Sequence, residues 1–196
     1  MSRENIPKKI KEALLDEYDH RCAICGGDRP HLHHVDENPS NNDIYNLLPL
    51  CPNCHLRDQH NPTRRIDLQK LKIFRIYKDP SILRPQFHPI YTRQLFLAEI
   101  EVSDDQIEFL EQQVKELIEF ISSFEMGEFY SKRIHELVGP TKKPMIIRSL
   151  TGGPDPKADK RRKEINRDYR QKLFENKAAV LELLVEMLRY QSWANA

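Results

Sequence analysis

Residues 22–60 read CAICGGDRPHLHHVDENPSNNDIYNLLPLCPNCHLRDQH, a stretch crowded with Cys, His, Asn and Pro. No long periodic element fits it, so apolar patterning does not explain how it folds. Two CxxC pairs, Cys22/Cys25 and Cys51/Cys54, bracket the interval. Four thiolates at these spacings suit a tetrahedral Zn²⁺. Such an ion can organise a module whose core is too small to hold itself. Four unligated buried cysteines, a disulfide or redox pair and an iron–sulfur cluster are the alternatives. A zinc held by four thiolates is coordinatively closed, so it would be structural and would do no chemistry. Gly26, directly after the first pair, allows a tight turn that brings backbone near the sulfurs.

Between the pairs lie His31, His33 and His34, then Asn46 in NLLPLC; His55 follows Cys54 directly and His60 comes later. A bare zinc ribbon would not need so many imidazoles. A second metal site would use them, since neutral imidazole is both a ligand and a base near neutral pH. On a strand, His33 and His34 point opposite ways, so one can hold metal while its neighbour faces water. Asn46 does not titrate and would hold a backbone or an imidazole in place.

With HHV, NLLPLC and CPNCH in this order inside two CxxC pairs, residues 18–61 resemble the HNH nuclease family. The resemblance implies a ββα-metal active site. It makes His34 the general base, His33 and His55 ligands of a catalytic divalent metal, and Asn46 the residue that orients the base and its loop. The metal implied is Mg²⁺ first, with Mn²⁺, Ni²⁺ or Zn²⁺ as alternatives. His60 is a candidate third ligand, although it lies five residues past His55, a poor match to a helical turn; Asn61 is its rival. Asp36 and Asp43 read either as acceptors near the site or as solvated loop acids. His20, His88 and His135 lack motif context.

Outward from this module the chain turns helical. Residues 6–19 have helical spacing (Ile6, Ile10, Leu14, Leu15), with Pro7 near the first turn. His31 to Val35 reads as a short strand and Leu47 to Leu50 runs up to a turn. Residues 62–100 mix a helix (Leu68, Leu71, Ile73, Phe74, Tyr77) with a stretch punctuated by Pro80, Pro85 and Pro89. Ser103 and Gln106 make a capping box for a helix whose face is Ile107, Leu110, Val114, Leu117, Ile121 and Phe124. Gly127 weakens its continuation through Ile134 and Val138. Met145 to Ile147 is a short apolar run in a loop, and Gly152-Gly153-Pro154 is a turn signal. A last helix, 158–191, presents Ile165, Tyr169, Leu173, Val180, Leu184 and Leu188, and packs most simply against the 104–138 helix.

The fold class expected is therefore α+β: a small zinc-stabilised ββα-metal module over 1–65, a mixed connector over 66–100, and a helical region over 101–196 with an antiparallel helix pair. At 39% hydrophobic the chain can bury a core, so global disorder is not expected. No run of roughly eighteen apolar residues occurs, so no membrane span is expected. The stretch MSRENIPKKIKEALL has no signal-peptide core, which points to a cytoplasmic protein.

The formal net charge is +1, yet residues 1–61 hold seven Lys or Arg against ten Asp or Glu. A nuclease module that acidic needs cations from elsewhere to attract phosphate. One candidate group is Arg64, Arg65, Lys70 and Lys72. The other centres on Lys160, Arg161, Arg162, Lys163 and Arg167, with Lys157, Arg170 and Lys172 around it. Either group could equally be a solvated face. The expected function is a metal-dependent endonuclease acting on DNA. Its resemblance to small HNH proteins implies a role in bacterial anti-phage defence beside an ATPase or sensor subunit. Self-association through the helical region is another use for the 107–124 face. The alternative function is a non-catalytic, zinc-stabilised nucleic-acid-binding or adaptor module.

Overall fold

Pro7 opens the first helix, α1 (Lys8–Glu17): its φ of −54° suits a helix start and its carbonyl accepts the Lys11 N–H at 3.0 Å. In this computed structural model the residues described are 5–61, 63, 65–98, 100, 106–140 and 156–194. The chain divides into two compact units, Met1–Arg84 and Pro85–Ala196, and its architecture is mixed α+β.

In the first unit a two-stranded antiparallel sheet pairs β1 (His31–His34) with β2 (Leu47–Leu50), placing His33 opposite Leu48 and His34 opposite Leu47. Leu47–Leu50 is thus a strand and not merely the approach to a turn. Leu32 and Leu47 join Leu14 of α1 in a small core, with Ile6, Ile10, Leu15, Tyr18 and Ile44 packed on it. A π-helical segment, Asn53–Gln59, follows β2 directly. Helix α2 (Leu68–Tyr77) then begins at Asp67, whose carboxylate accepts the Gln69 and Lys70 N–H groups, and ends at Lys78 in the left-handed region.

Arg75 of α2 locks this unit together. Its side chain is 1% exposed, with Nη1 and Nη2 donating to the two Glu17 carboxylate oxygens at 3.0 Å each. Nε and Nη2 also donate to the Ile44 carbonyl at 3.2 and 3.0 Å. Lys78 adds a second ion pair to Glu17. Burial works to raise the Glu17 pKa, but hydrogen bonds from Lys78 and Arg75, and their charges, override it and hold the carboxyl below its usual value. Arg75→Ala should therefore cost about 3 kcal/mol, because it removes the bidentate partner of Glu17, leaving only Lys78, and takes both donors from the Ile44 carbonyl. Urea unfolding measures this, and a loss under about 0.5 kcal/mol would contradict it. Because the folded pKa is depressed, the Glu17 contribution is complete above the unfolded value of about 4.3 and fades as pH falls through the lower folded one. The stability gap between the native chain and Glu17→Gln should close on acidification below about pH 4.

The second unit is helical: α3 (Phe87–Gln94), a 3-10 turn (Leu95–Ala98), α4 (Ile107–Ser122), α5 (Gly127–Val138) and α6 (Pro156–Ala194). Ile107, Leu110, Val114, Leu117 and Ile121 are all buried, as their spacing predicts. The expected continuous 104–138 helix is instead two. Met126 adopts φ 56°, and a Cβ on Gly127 would lie 2.2 Å from the Ile121 carbonyl oxygen, so glycine permits the turn. The last helix packs within the expected 104–138 span, on its second half: α5 packs against both α4 and α6. Tyr169 donates to the Val138 carbonyl at 3.0 Å, Tyr130 to Glu186 at 3.1 Å and Gln191 to the Glu125 carbonyl at 2.6 Å. Ser103, Met145 to Ile147 and Gly152-Gly153-Pro154 lie outside the described residues. Among the described residues no helix is long and apolar enough to cross a membrane.

Candidate metal centre

The two CxxC pairs close on each other because β2 delivers Cys51 to the end of the sheet and the Ala23 N–H donates to the Pro49 carbonyl at 2.8 Å. The ligand atoms of Cys22, Cys25, Cys51 and Cys54 lie within 4.8 Å of one another. The Cys25 and Cys51 sulfurs are 3.5 Å apart, too far for a disulfide. Thiolates about 2.3 Å from one tetrahedral ion would lie about 3.8 Å apart, so the spacing fits such an ion. The Cys54 backbone N–H points at the Cys51 sulfur at 3.5 Å and, as the leading cause, lowers that thiol to about 7. Burial pushes the Cys25 and Cys54 thiols up. The cluster could hold a metal ion, whose charge would offset the burial that favours the neutral thiols. Gly26 supplies the turn, at φ 69°, whereas Gly27 makes the close approach: a Cβ there would lie 3.3 Å from the Cys25 sulfur.

A second cluster stands beside the first. His33, His55 and His60 bring ligand nitrogens within 4.8 Å of one another. The Nε2 atoms of His55 and His60 are 3.3 Å apart, and nitrogens about 2.0–2.1 Å from one ion lie about 3–3.4 Å apart. Nε2 of His33 is buried without a hydrogen-bond partner, an orphaned donor set that an ion would complete. Burial first, then the neighbouring His55 and His60, lowers His33 to about 4, so it is the neutral, metal-ready imidazole at neutral pH.

The five-residue interval that argues against His60 in an α-helix is what brings it in here. The segment winds as a π-helix, in which residue i+5 returns beneath residue i, and the His60 N–H donates to the His55 carbonyl at 3.2 Å. The side-chain oxygen of Asn61 is engaged locally, accepting from the Thr63 N–H and hydroxyl at 3.0 and 2.7 Å.

Both His33 and His34 line one cavity of about 500 Å³ at the C-terminal end of β1, together with Leu32, Glu37, Pro39, His55, Gln59, His60 and Arg65. Nε2 of His34 lies 3.2 Å from Oδ1 of Asn42. Asn46 does not touch His34 in this way but holds the loop after it. Its Oδ1 accepts the Asp36 N–H at 3.0 Å, and its Nδ2 donates to Asp36 Oδ1 at 2.8 Å and to the Asn41 carbonyl at 2.9 Å. Asp36 is the hub of that loop, accepting also from the Asn38 N–H and Asn41 Nδ2 at 2.9 and 2.7 Å. Burial works to raise its pKa, but these amide donors more than offset it and keep the carboxyl low. Asp43 accepts the Tyr45 N–H at 2.7 Å, as a helix cap does.

Comparison of the chain with family models, with curated proteins and with solved structures finds no match. The site therefore rests on its own geometry.

Three contributors escape a reading of the sequence. Asn42 is one of several loop asparagines, and only the fold selects it. Gln59, 2% exposed, exchanges hydrogen bonds with the Ile66 backbone at 3.1 and 3.4 Å and so ties the π-helix to the entry of α2. Glu37 pairs with Arg65 at 2.8 Å. Of the expected basic groups, Arg65 reaches the cavity and Arg64 lies outside the described residues. Lys70 is buried. Lys160, Arg161, Arg162, Lys163 and Arg167 are on the first turns of α6, in a segment, 157–168, where no residue is buried. Arg162 and Lys163 bridge to Asp159 at 3.2 and 3.4 Å, and Arg167 to Asp168 at 3.6 Å.

Proposed function

We propose that this chain is an HNH-type, metal-dependent endonuclease that hydrolyses phosphodiester bonds of DNA. One observation carries the reading: three imidazoles converge on one point inside a cavity that a fourth, His34, also lines. A closed zinc on the four thiolates would fix the module, and His33, His55 and His60 would hold a second, open ion. That ion, when bound, supplies positive charge to the scissile phosphate and the departing 3′ oxygen. His34 takes the proton of the attacking water. With the Asn42 oxygen accepting from Nε2–H, the proton-accepting nitrogen of His34 is Nδ1. Asn46, through Asp36 and Asn41, holds the loop that carries this pair. Arg65 meets the phosphate charge at the cavity, and the cations of α6 make non-specific backbone contacts.

The donor set shifts the expected metal. Three imidazoles without a carboxylate suit Zn²⁺ or Ni²⁺, whereas Mg²⁺ prefers oxygen ligands and keeps its waters. Plasmid nicking by protein stripped at the histidine site should be restored by Ni²⁺ or Zn²⁺ at about tenfold lower concentration than by Mg²⁺. Failure of every divalent metal to restore nicking would reject the nuclease and favour a zinc-stabilised binding module. The α5–α6 contacts support an antiparallel helix pair; because the apolar face of α4 is buried within the chain, an ATPase or sensor partner in a defence system would have to use another surface of the helical region. Copurification of such a subunit is the direct test.

A further inference from the structure

Arg65 and Glu37 both line the metal cavity and hold each other, Nη1 to Oε1, at 2.8 Å. Their side chains are 39% and 41% exposed, so the pair adds little to stability and can be exchanged readily for another anion. The Glu37 carboxylate lies outside the three-histidine ligand set and so is not placed as a metal ligand. Its backbone is nonetheless committed. Glu37 adopts φ 61°, a costly conformation for a side chain of this size, with its N–H on the His34 carbonyl at 3.0 Å and the Asn38 N–H on Asp36 at 2.9 Å. An arginine-bound carboxylate is the counterpart, in charge and geometry, of an arginine-bound phosphate.

We propose that Glu37 is a built-in competitor for the substrate phosphate: it occupies Arg65 in the free protein, and a phosphodiester of the nucleic acid displaces it on binding. The proposal rests on the nuclease reading of this cavity and adds a residue that sets its affinity. The test is fluorescence anisotropy of a short DNA duplex on the full chain, carried out in a His34→Ala background so that the duplex stays intact. Four proteins are compared: the background alone, with Glu37→Gln, with Arg65→Ala, and with both. Glu37→Gln should tighten binding about threefold to fivefold. In the Arg65→Ala background the same change should do nothing. Equal tightening in both backgrounds would mean general charge removal and would overturn the proposal, as would no tightening at all. Plasmid nicking by chains that keep His34 separates the two ideas. If they cut DNA and Glu37→Gln leaves binding unchanged, the competitor is refuted and the nuclease stands. If no variant binds or cuts DNA, both are refuted.

Discussion

Cys51→Ser is expected to unfold the Met1–Arg84 unit at room temperature. The buried apolar cluster that joins α1 to the sheet is Leu14, Leu32 and Leu47, with only partly buried neighbours packed on it, and two strands of four residues are marginal without further support. A structural zinc contributes about 10–16 kcal/mol in small zinc modules, against a total stability of about 5–15 kcal/mol for an ordinary domain. Losing one of four thiolates therefore removes more than the remaining contacts can replace. Cys51 is the most consequential choice, because it receives the Cys54 N–H and its sulfur lies 3.5 Å from that of Cys25. Amide NMR should show the His33 and Leu48 signals collapsing towards random-coil positions in the variant, and zinc content falling by about one ion per chain. A variant that keeps native dispersion and melts within about 1 kcal/mol of the native chain would show that the cysteines do not hold this unit together.

How far the sequence alone reaches follows from the kind of signal each residue leaves. Cysteine pairs and helical apolar faces are spacing signals, and both come through: the four sulfurs meet, and Ile107, Leu110, Val114, Leu117 and Ile121 are buried. His60 shows where spacing misleads. A five-residue interval is wrong for 3.6 residues per turn and right for a π-helix, and nothing local in NCHLRDQ declares the wider winding. Asn46 and Asn42 show a second limit. The sequence points to an asparagine that orients the base, but the fold divides that work, with Asn42 on the imidazole and Asn46 on the loop. Asp36 looks like a solvated loop acid until its three amide donors are counted. Gly127 signals the break between α4 and α5, but not that the break folds α5 back so that it packs on both α4 and α6.

His34→Ala should reduce DNA cleavage about 10²- to 10⁴-fold while leaving both metal sites filled. The argument turns on two adjacent histidines with different surroundings. His33 is buried against His55 and His60 and is lowered to about 4, which suits it to hold a cation and not to carry protons at neutral pH. His34 stands apart from that set, with Asn42 on one ring nitrogen. The variants should therefore separate. His33→Ala should lose the second equivalent of metal and activity together. His34→Ala should keep the metal and the fold, and lose turnover with little change in the substrate concentration at half-maximal rate. Added imidazole should restore part of the His34→Ala rate without changing its metal content, whereas any rescue of His33→Ala should appear only together with regained metal, because imidazole is a ligand as well as a base. Metal content measured beside cleavage decides the matter. If His34→Ala retained cleavage within about tenfold of the native chain, the proton would have to leave by another route, and His34 would be a lining residue of a metal site whose chemistry lies elsewhere.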